Sequence, residues 1–408
     1  MPSKTSPLIP KSFNKIEFIE GISVSITHCG LKKNNKEDLV LIKLEKPGQI
    51  FGAFTKSKTP GEPVIWNKSI IKFGRVSAIL VNSGNANVFN GNSGRNALVK
   101  IVEELSKKLK IPEKEIFIAS TGVIGEPLDE KKIIKKIPFL LSNLNNTHKS
   151  WYSASKAIMT TDTYPKFHSE IIDKNEDLFI NGIAKGSGMI APNMATMLAF
   201  IFTNYNFSKR FLKKQFFEVV DKTFNSITVD GDTSTSDMVL FFYVKSKYEN
   251  KILERNKNKF IHGLEKTMEK LSEYIVKDGE GATKFIKINI SGAKSIKDAR
   301  KIGCSIANSP LFKTAMAGSD ANWGRIVMAI GKSDSEINPK KISIKFGRYL
   351  ILDKGKDLIT ENIKFINRYL KEKELEISID VGLGNFSWTI KTCDFTKNYI
   401  SINTDYRS

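Results

Sequence analysis

The sequence predicts a mixed α/β chain. Short apolar runs of strand length end in turns of Gly, Ser, Thr and Asn, and between them lie longer segments with apolar residues at helical spacing. The apolar fraction is 40% over 408 residues, enough for a sizeable core and two or three ordinary domains. In chain order, "VSAILVNSGNAN" reads as a buried strand, Val76 to Val81, running into a polar turn. "GRNALVKIVEELSKKLK" predicts a helix over 94–110 that stops before Pro112. "EIFIASTGVIGEPL" (115–128) is again a strand ending in Ser, Thr and Gly. "FLKKQFFEVVDKTF" (211–224) has the spacing of an amphipathic helix, and "MVLFFYV" (238–244) is a strand. A helix over about 259–276 stops at "KDGEGATK", and "FIKINIS" (285–291) is a strand. The segment from about 376 to 403 reads as strand-rich. The elements divide into a larger unit, 1–280, and a smaller C-terminal α/β unit, 281–408, with no linker to mark the boundary.

The formal net charge is +21. Taken alone it suggests an anionic partner such as nucleic acid. Lysines, however, are spread through every polar segment beside acidic or apolar neighbours, which describes a solvated basic surface. Cys29, Cys304 and Cys393 are far apart, no CxxC occurs, and His28, His148, His168 and His262 have no ligand spacing. Neither a disulfide framework nor a metal site is expected, and a reducing, cytoplasmic compartment is. The N-terminus has no apolar h-region, and the longest apolar runs are too short to span a bilayer.

No phosphate loop of the GxxxxGK[ST] type is present, and "GLG" at 382–384 lies inside strand-like sequence. "SASK" (Ser153 to Lys156) matches the SxxK acylase signature without its SDN and KTG partners. "DGDTSTSD" (230–237) starts like a calcium loop, but Thr235 stands where glycine is needed and Phe241 where a bidentate Glu is needed. A hydroxyl-rich turn that supports a site or caps a strand fits it better.

The stretch "KGSGMIAPNMATMLAF" (185–200) places Thr196 after a Gly-rich turn with no histidine in reach by spacing. A threonine hydroxyl needs a base to act as nucleophile. Cutting the peptide bond before it would free an α-amine with an ordinary pKa of about 7.7–8.0, beside the hydroxyl. The small Ala195 ahead of Thr196 and the turn-forming Gly186 and Gly188 suit such a self-cleavage. A buried strand threonine bonded to a carbonyl accounts for the same residues, and on the residues alone that blander reading is favoured. Thr121 Oγ and the Gly122 amide of "STGVIG" could provide two convergent donors for an acyl-transfer oxyanion, although Ser-Thr-Gly turns of this kind are common.

Taken together, "VNSGNANVFNG", "STGVIGEPL", "AIMTTDTYPK", "KGSGMIAPNMATMLAF", "DGDTSTSD", "KDGEGATKF", "IANSPLFKTAMAGSDANWGRI" and "YISINTDYRS", in that order, closely resemble the ornithine acetyltransferase (ArgJ) family from about residue 15 to Ser408. The resemblance implies a helix–sheet–sheet–helix sandwich with a smaller C-terminal α/β domain. It implies self-cleavage between Ala195 and Thr196 into chains 1–195 (α) and 196–408 (β), assembled as α2β2. Thr196 would be the nucleophile, with Thr121 and Gly122 as the oxyanion pair. The substrate positions fall on Thr160 (Thr161 is the close rival), Lys185, Thr196, Glu280, Asn403 and Ser408.

The implied reaction moves acetyl from N-acetyl-L-ornithine to L-glutamate in arginine biosynthesis without cofactor or metal. Acetyl-CoA as an additional donor is left open. Thr404 stands where a smaller residue is expected, and "DVGLGNFSWTIKTCDFTKNY" is looser than the family pattern, which bears on fine substrate preference. Two other readings stay in view: an N-terminal-nucleophile aminopeptidase or amidase on the same scaffold, and a non-catalytic basic protein that binds nucleic acid.

Overall fold

A computed structural model describes residues 5–33, 35–175, 177–191, 197–245 and 256–405. The first half of the chain runs β1 (Ile22–Thr27), β2 (Leu39–Phe54), α1 (Glu62–Ile70), β3 (Arg75–Asn85), α2 (Gly91–Leu109), β4 (Ile116–Val123), α3 (Glu130–Ile134), α4 (Ile137–Ser142), α5 (His148–Ala157), β5 (Lys166–Asp173) and β6 (Leu178–Lys185). The second half runs β7 (Leu198–Thr203), α6 (Lys209–Lys222), β8 (Met238–Tyr243), α7 (Lys257–Lys277), β9 (Phe285–Ala293), α8 (Ile296–Ala307), α9 (Pro310–Ala317), α10 (Trp323–Gly331), β10 (Ser343–Phe346), β11 (Tyr349–Asp353), β12 (Lys356–Asp357), α11 (Ile359–Tyr369), β13 (Glu374–Asp380), β14 (Phe386–Cys393) and α12 (Lys397–Thr404).

The first sheet is ordered β4-β3-β2-β8-β7-β6-β5, with β1 also on β2. Its 16-residue strand β2 belongs to two partner sets. Residues 39–44 pair with β1 and residues 39–43 with β3, which pairs again at Gly48 and Gln49 after a register shift, and residues 49–54 pair with β8. Gly48 sits at the bend, where a Cβ would lie 2.4 Å from the Tyr243 carbonyl oxygen. The two halves of the sheet face each other across this bend. Val40 and Ile42 of β2, Ile79 and Val81 of β3 and Phe117 of β4 share one core with Phe200 of β7 and Leu240 of β8. Phe202 stacks on Phe242 there at 4.8 Å between ring centres.

Strand side chains alternate between faces, so each half also has an outer face. Leu41, Leu80 and Ile118 pack on Leu98 and Ile101 of α2 and Leu140 of α4. Ala199, Ile201 and Phe241 pack on Phe216 of α6 and Leu264 and Leu271 of α7. The result is the helix–sheet–sheet–helix order, with the two sheet layers continuous through β2.

The second sheet is ordered β12-β11-β10-β13-β9-β14. Its pairs are antiparallel except β9 with β13. Ile288, Ile377 and Ile390 pack on Ile302 of α8, Phe312 of α9, Ile326 of α10 and Ile366 of α11.

Two expectations need correction. The segment 376–403 is not strand throughout, because β14 ends at Cys393 and α12 follows. The Thr396 side chain caps that helix by accepting from Asn398 N, and Tyr399 packs on Phe395 at 4.3 Å, so capping and local packing outweigh the β-propensity of "YISI". "GLG" is the connection between β13 and β14, with Gly382 at φ 64, not strand interior.

Truncating Phe200, which is fully buried between the two sheet layers, is expected to cost about 3–5 kcal/mol. Urea denaturation of Phe200→Ala against wild type measures it. A loss below about 1 kcal/mol contradicts the placement of this ring at the centre of the inner core.

Candidate active site

The ends of β4 and β6 and the turn leading into β8 meet at one edge of the sandwich, with the residues after α7 and the end of α12 beside them. The pocket they form is lined by Thr121, Gly122, Thr160, Lys185, Glu280 and Asn403, all singled out from the sequence, and by the rival Thr161. Ala195, Thr196 and Ser408 lie outside the described residues. Gly188 and Met189 of the pocket wall precede the 192–196 segment in sequence, and Met197, which follows it, accepts at its carbonyl from Met238 N.

Thr121 and Gly122 owe their position to the parallel pairing of β3 and β4, which sets Gly84 opposite Gly122. Gly122 has φ +133, and a Cβ there would lie 2.3 Å from the Gly84 carbonyl carbon. Only glycine fits. Lys185 closes β6 with 3% of its surface exposed, and its Nζ donates to Thr121 Oγ1 at 2.9 Å. Burial pushes the Lys185 ammonium below its usual range, and Asp162 and Asp237 partly offset that.

Beneath the pocket lies a buried ionic string that sequence reasoning missed. Asp162 Oδ1 accepts from Lys166 Nζ at 2.7 Å and from Gly186 N at 2.6 Å, while Asp162 Oδ2 accepts from Thr160 N at 3.0 Å. Lys166 Nζ also donates to Asp278 Oδ2 at 2.6 Å, and that carboxylate accepts from Thr163 N at 2.8 Å and from Thr163 Oγ1. The Lys166, Asp162 and Asp278 side chains at the ion pairs have no solvent exposure. Burial would raise the Asp162 carboxyl, but Lys166, Lys185 and the Gly186 amide outweigh it and hold it well below the carboxylate range. For Lys166, burial is likewise outweighed by its two carboxylate partners, and its pKa rises. The one available signal was the Asp-x-x-x-Lys spacing in "TTDTYPK". Among the described residues the scattered-lysine reading also hid four buried lysines, Lys166, Lys284, Lys313 and Lys391.

Glu280 is placed two residues beyond Asp278. Its amide donates to Ser187 O at 2.8 Å, and its carboxylate lies so close over Gly188 that a Cβ there would stand 2.5 Å from Glu280 Cδ. Asn403 Nδ2 donates to Glu280 Oε2 at 2.8 Å, which ties α12 to the pocket. Thr160 and Thr161 both reach the pocket, with Thr161 Oγ1 2.7 Å from Ser187 Oγ. The 230–237 turn supports the site: Ser234, Thr235 and Ser236 line the pocket, and Asp230 accepts from Met189 N at 2.6 Å and Ile190 N at 2.8 Å. Burial raises the Asp230 carboxyl despite these amides. By contrast, Ser153 and Lys156 of the SxxK match are on α5 and do not line this pocket.

A hydroxyl and a glycine at a strand end, a buried cation and a carboxylate facing one space can hold a zwitterionic substrate against an acyl-transfer centre. The ArgJ family matches residues 23–408. The arginine biosynthesis bifunctional protein ArgJ of Mesorhizobium japonicum is 41% identical over 415 residues, covering 100% of both chains. The chain belongs to the ArgJ family. The ArgJ protein of Bradyrhizobium diazoefficiens is 40% identical over 417 residues, again covering 100% of both chains. A solved structure of ArgJ from Bacillus halodurans has 36% identity and a TM-score of 0.49, covering 52% of this chain and 100% of that chain.

Removing Lys166 leaves two carboxylates buried without their cation. Lys166→Met is expected to lose about 3–5 kcal/mol, read from urea denaturation. Lys294→Met, at the exposed pair with Glu336, is expected to change stability by less than about 1 kcal/mol. Equal effects of the two substitutions contradict the account of the buried string.

Proposed function

We propose that the chain is a self-cleaving N-terminal-threonine acetyltransferase that moves acetyl from N-acetyl-L-ornithine to L-glutamate in arginine biosynthesis. The observation that carries this reading is the convergence of Thr121, Gly122, Lys185 and Glu280 on one pocket, whose lining residues Gly188 and Met189 precede Ala195 and Thr196 in sequence. Membership of the ArgJ family and the relatives' names support it.

In the proposed maturation, Thr196 Oγ attacks the Ala195 carbonyl carbon. The peptide C–N bond breaks as the nitrogen takes up a proton, leaving an ester that water hydrolyses to the Ala195 carboxylate and a free Thr196 hydroxyl. The freed amine then takes the hydroxyl proton as Thr196 Oγ attacks the acetyl carbonyl of the donor. Thr121 Oγ1 and the Gly122 amide stabilise the oxyanion. The proton passes to the departing nitrogen, ornithine leaves, and the amine of glutamate attacks the acetyl-threonine in the same way. Glu280 suits the substrate ammonium, and Lys185 the carboxylate. Thr160 or Thr161, Asn403 and Ser408 complete the substrate contacts in this reading.

The cycle uses no cofactor or metal, and acetyl-CoA as an additional donor is a separate assay. The same reading includes an α2β2 assembly of the cleaved chains. A cytoplasmic setting is in keeping with three free cysteines and with the absence, among the described residues, of any helix long and apolar enough to cross a membrane.

The test of maturation is an intact-mass spectrum of purified protein. Two fragments meeting at Ala195/Thr196 are expected, with an uncleaved, inactive chain for Thr196→Ala; a fully active uncleaved wild type sinks the mechanism. Release of ornithine from N-acetylornithine is expected to depend on glutamate, whereas equal release without it favours the amidase reading. Glu280→Gln removes a charge-assisted contact worth about 1.5–3 kcal/mol, so KM for N-acetylornithine is expected to rise about tenfold to a hundredfold in steady-state assays.

A further inference from the structure

The 2.9 Å bond from Lys185 Nζ to Thr121 Oγ1 joins two residues that otherwise have separate jobs, one at the substrate carboxylate and one at the oxyanion. A lysine ammonium has three protons and no acceptor, while a threonine hydroxyl has one proton and two lone pairs. In this bond Lys185 must therefore donate and Thr121 must accept. The single Thr121 proton cannot be spent on Lys185. Among the described residues no other hydrogen bond involves Thr121 Oγ1, although buried hydroxyls ordinarily donate to a nearby carbonyl.

Both ends of the bond are rigid. Thr121 is fixed by the β3–β4 register, and Lys185 by its place at the end of fully buried β6. Asp162 stands opposite Lys185 in charge, and it is itself locked by Thr160 N, Gly186 N and Lys166 Nζ.

We propose that Lys185 is a positioning residue of the oxyanion hole, occupying a lone pair of Thr121 Oγ1 so that the Thr121 hydroxyl proton is presented to the reacting carbonyl oxygen. Hydrogen-bonded chains polarise one another, so an ammonium on the acceptor side also strengthens Thr121 as a donor. Two Lys185 protons remain for a substrate carboxylate, and one side chain thereby couples substrate binding to transition-state stabilisation. No bond forms or breaks at Lys185, and no proton leaves it.

This inference rests on the acetyltransferase reading and is tested by a double-mutant cycle in acetyl transfer from N-acetylornithine to glutamate. Rates are divided by the amount of fragment that begins at Thr196. Thr121→Val deletes the hydroxyl at nearly constant shape and is expected to lower kcat about 100- to 1,000-fold, as loss of one oxyanion donor does. Lys185→Met is expected to lower kcat by a comparable factor, beyond any rise in KM. In the double variant, adding Lys185→Met to Thr121→Val is expected to leave kcat unchanged. A Lys185→Met variant that raises KM at unchanged kcat overturns the proposal, and so do kcat losses that multiply in the double variant. If Lys185→Met does not fold or mature, Lys185→Arg takes its place: its kcat change must vanish in the Thr121→Val background, and persistence overturns the proposal. If wild type shows no glutamate-dependent transfer, the acetyltransferase reading fails; if transfer occurs and the cycle is multiplicative, only the role of Lys185 fails.

Discussion

The pocket depends on the buried contact between Lys166 and its two carboxylates. Asp162 and Asp278 come from segments far apart in sequence; Asp162 accepts from the backbone at Thr160 and Gly186, and Asp278 accepts from it at Thr163. Asp162 fixes the 160–163 loop and the turn after β6, and Asp278 stands two residues before Glu280. One ammonium without solvent exposure thus sets three walls at once. Buried charges are costly unless every partner is present. That all-or-none character holds Lys185, Ser187 and Glu280 in a single arrangement, and an acyl-transfer site requires positional precision of this kind.

The sandwich decides where that arrangement can sit. Strand β2 bends at Gly48 and serves both layers, so the ends of β4 from one layer and β6 from the other arrive at the same edge. Thr121 from one layer then meets Lys185 from the other. The C-terminal part of the chain contributes its last helix, α12, through Asn403 on Glu280 and through Thr396 Oγ1 donating to Gly281 O at 2.7 Å.

Much of this was legible in the residues, for reasons that differ from element to element. The β3, α2, α6, β8 and α7 segments carry periodicities that tertiary context only reinforces, and they appear within a few residues of the expected bounds. Helix α12 was not legible, because "YISI" carries strand propensity and the capping Thr396 precedes no apolar helical stripe. The bend in β2 was hidden too, since "EKPGQ" reads as a turn between two strands while the backbone continues through it as one. In the site, Thr121, Gly122, Lys185, Glu280 and Asn403 were found through ordered motif blocks, and the structure brings them to one pocket. Asp162, Lys166 and Asp278 escaped because a charged residue in a strand-and-loop sequence looks solvated, and only the fold reveals that its partners lie about a hundred residues away, as Lys166 and Asp278 do.

In the proposed reaction the acetyl group is carried by the chain itself. The most direct measurement mixes mature protein with N-acetylornithine, omits glutamate, quenches in acid and maps the peptides by mass. The prediction is one acetyl group, located on the Thr196 side chain and discharged when glutamate is added before the quench. Full turnover with glutamate and no acetyl on Thr196 at any quench time, or acetyl on another residue, contradicts the account.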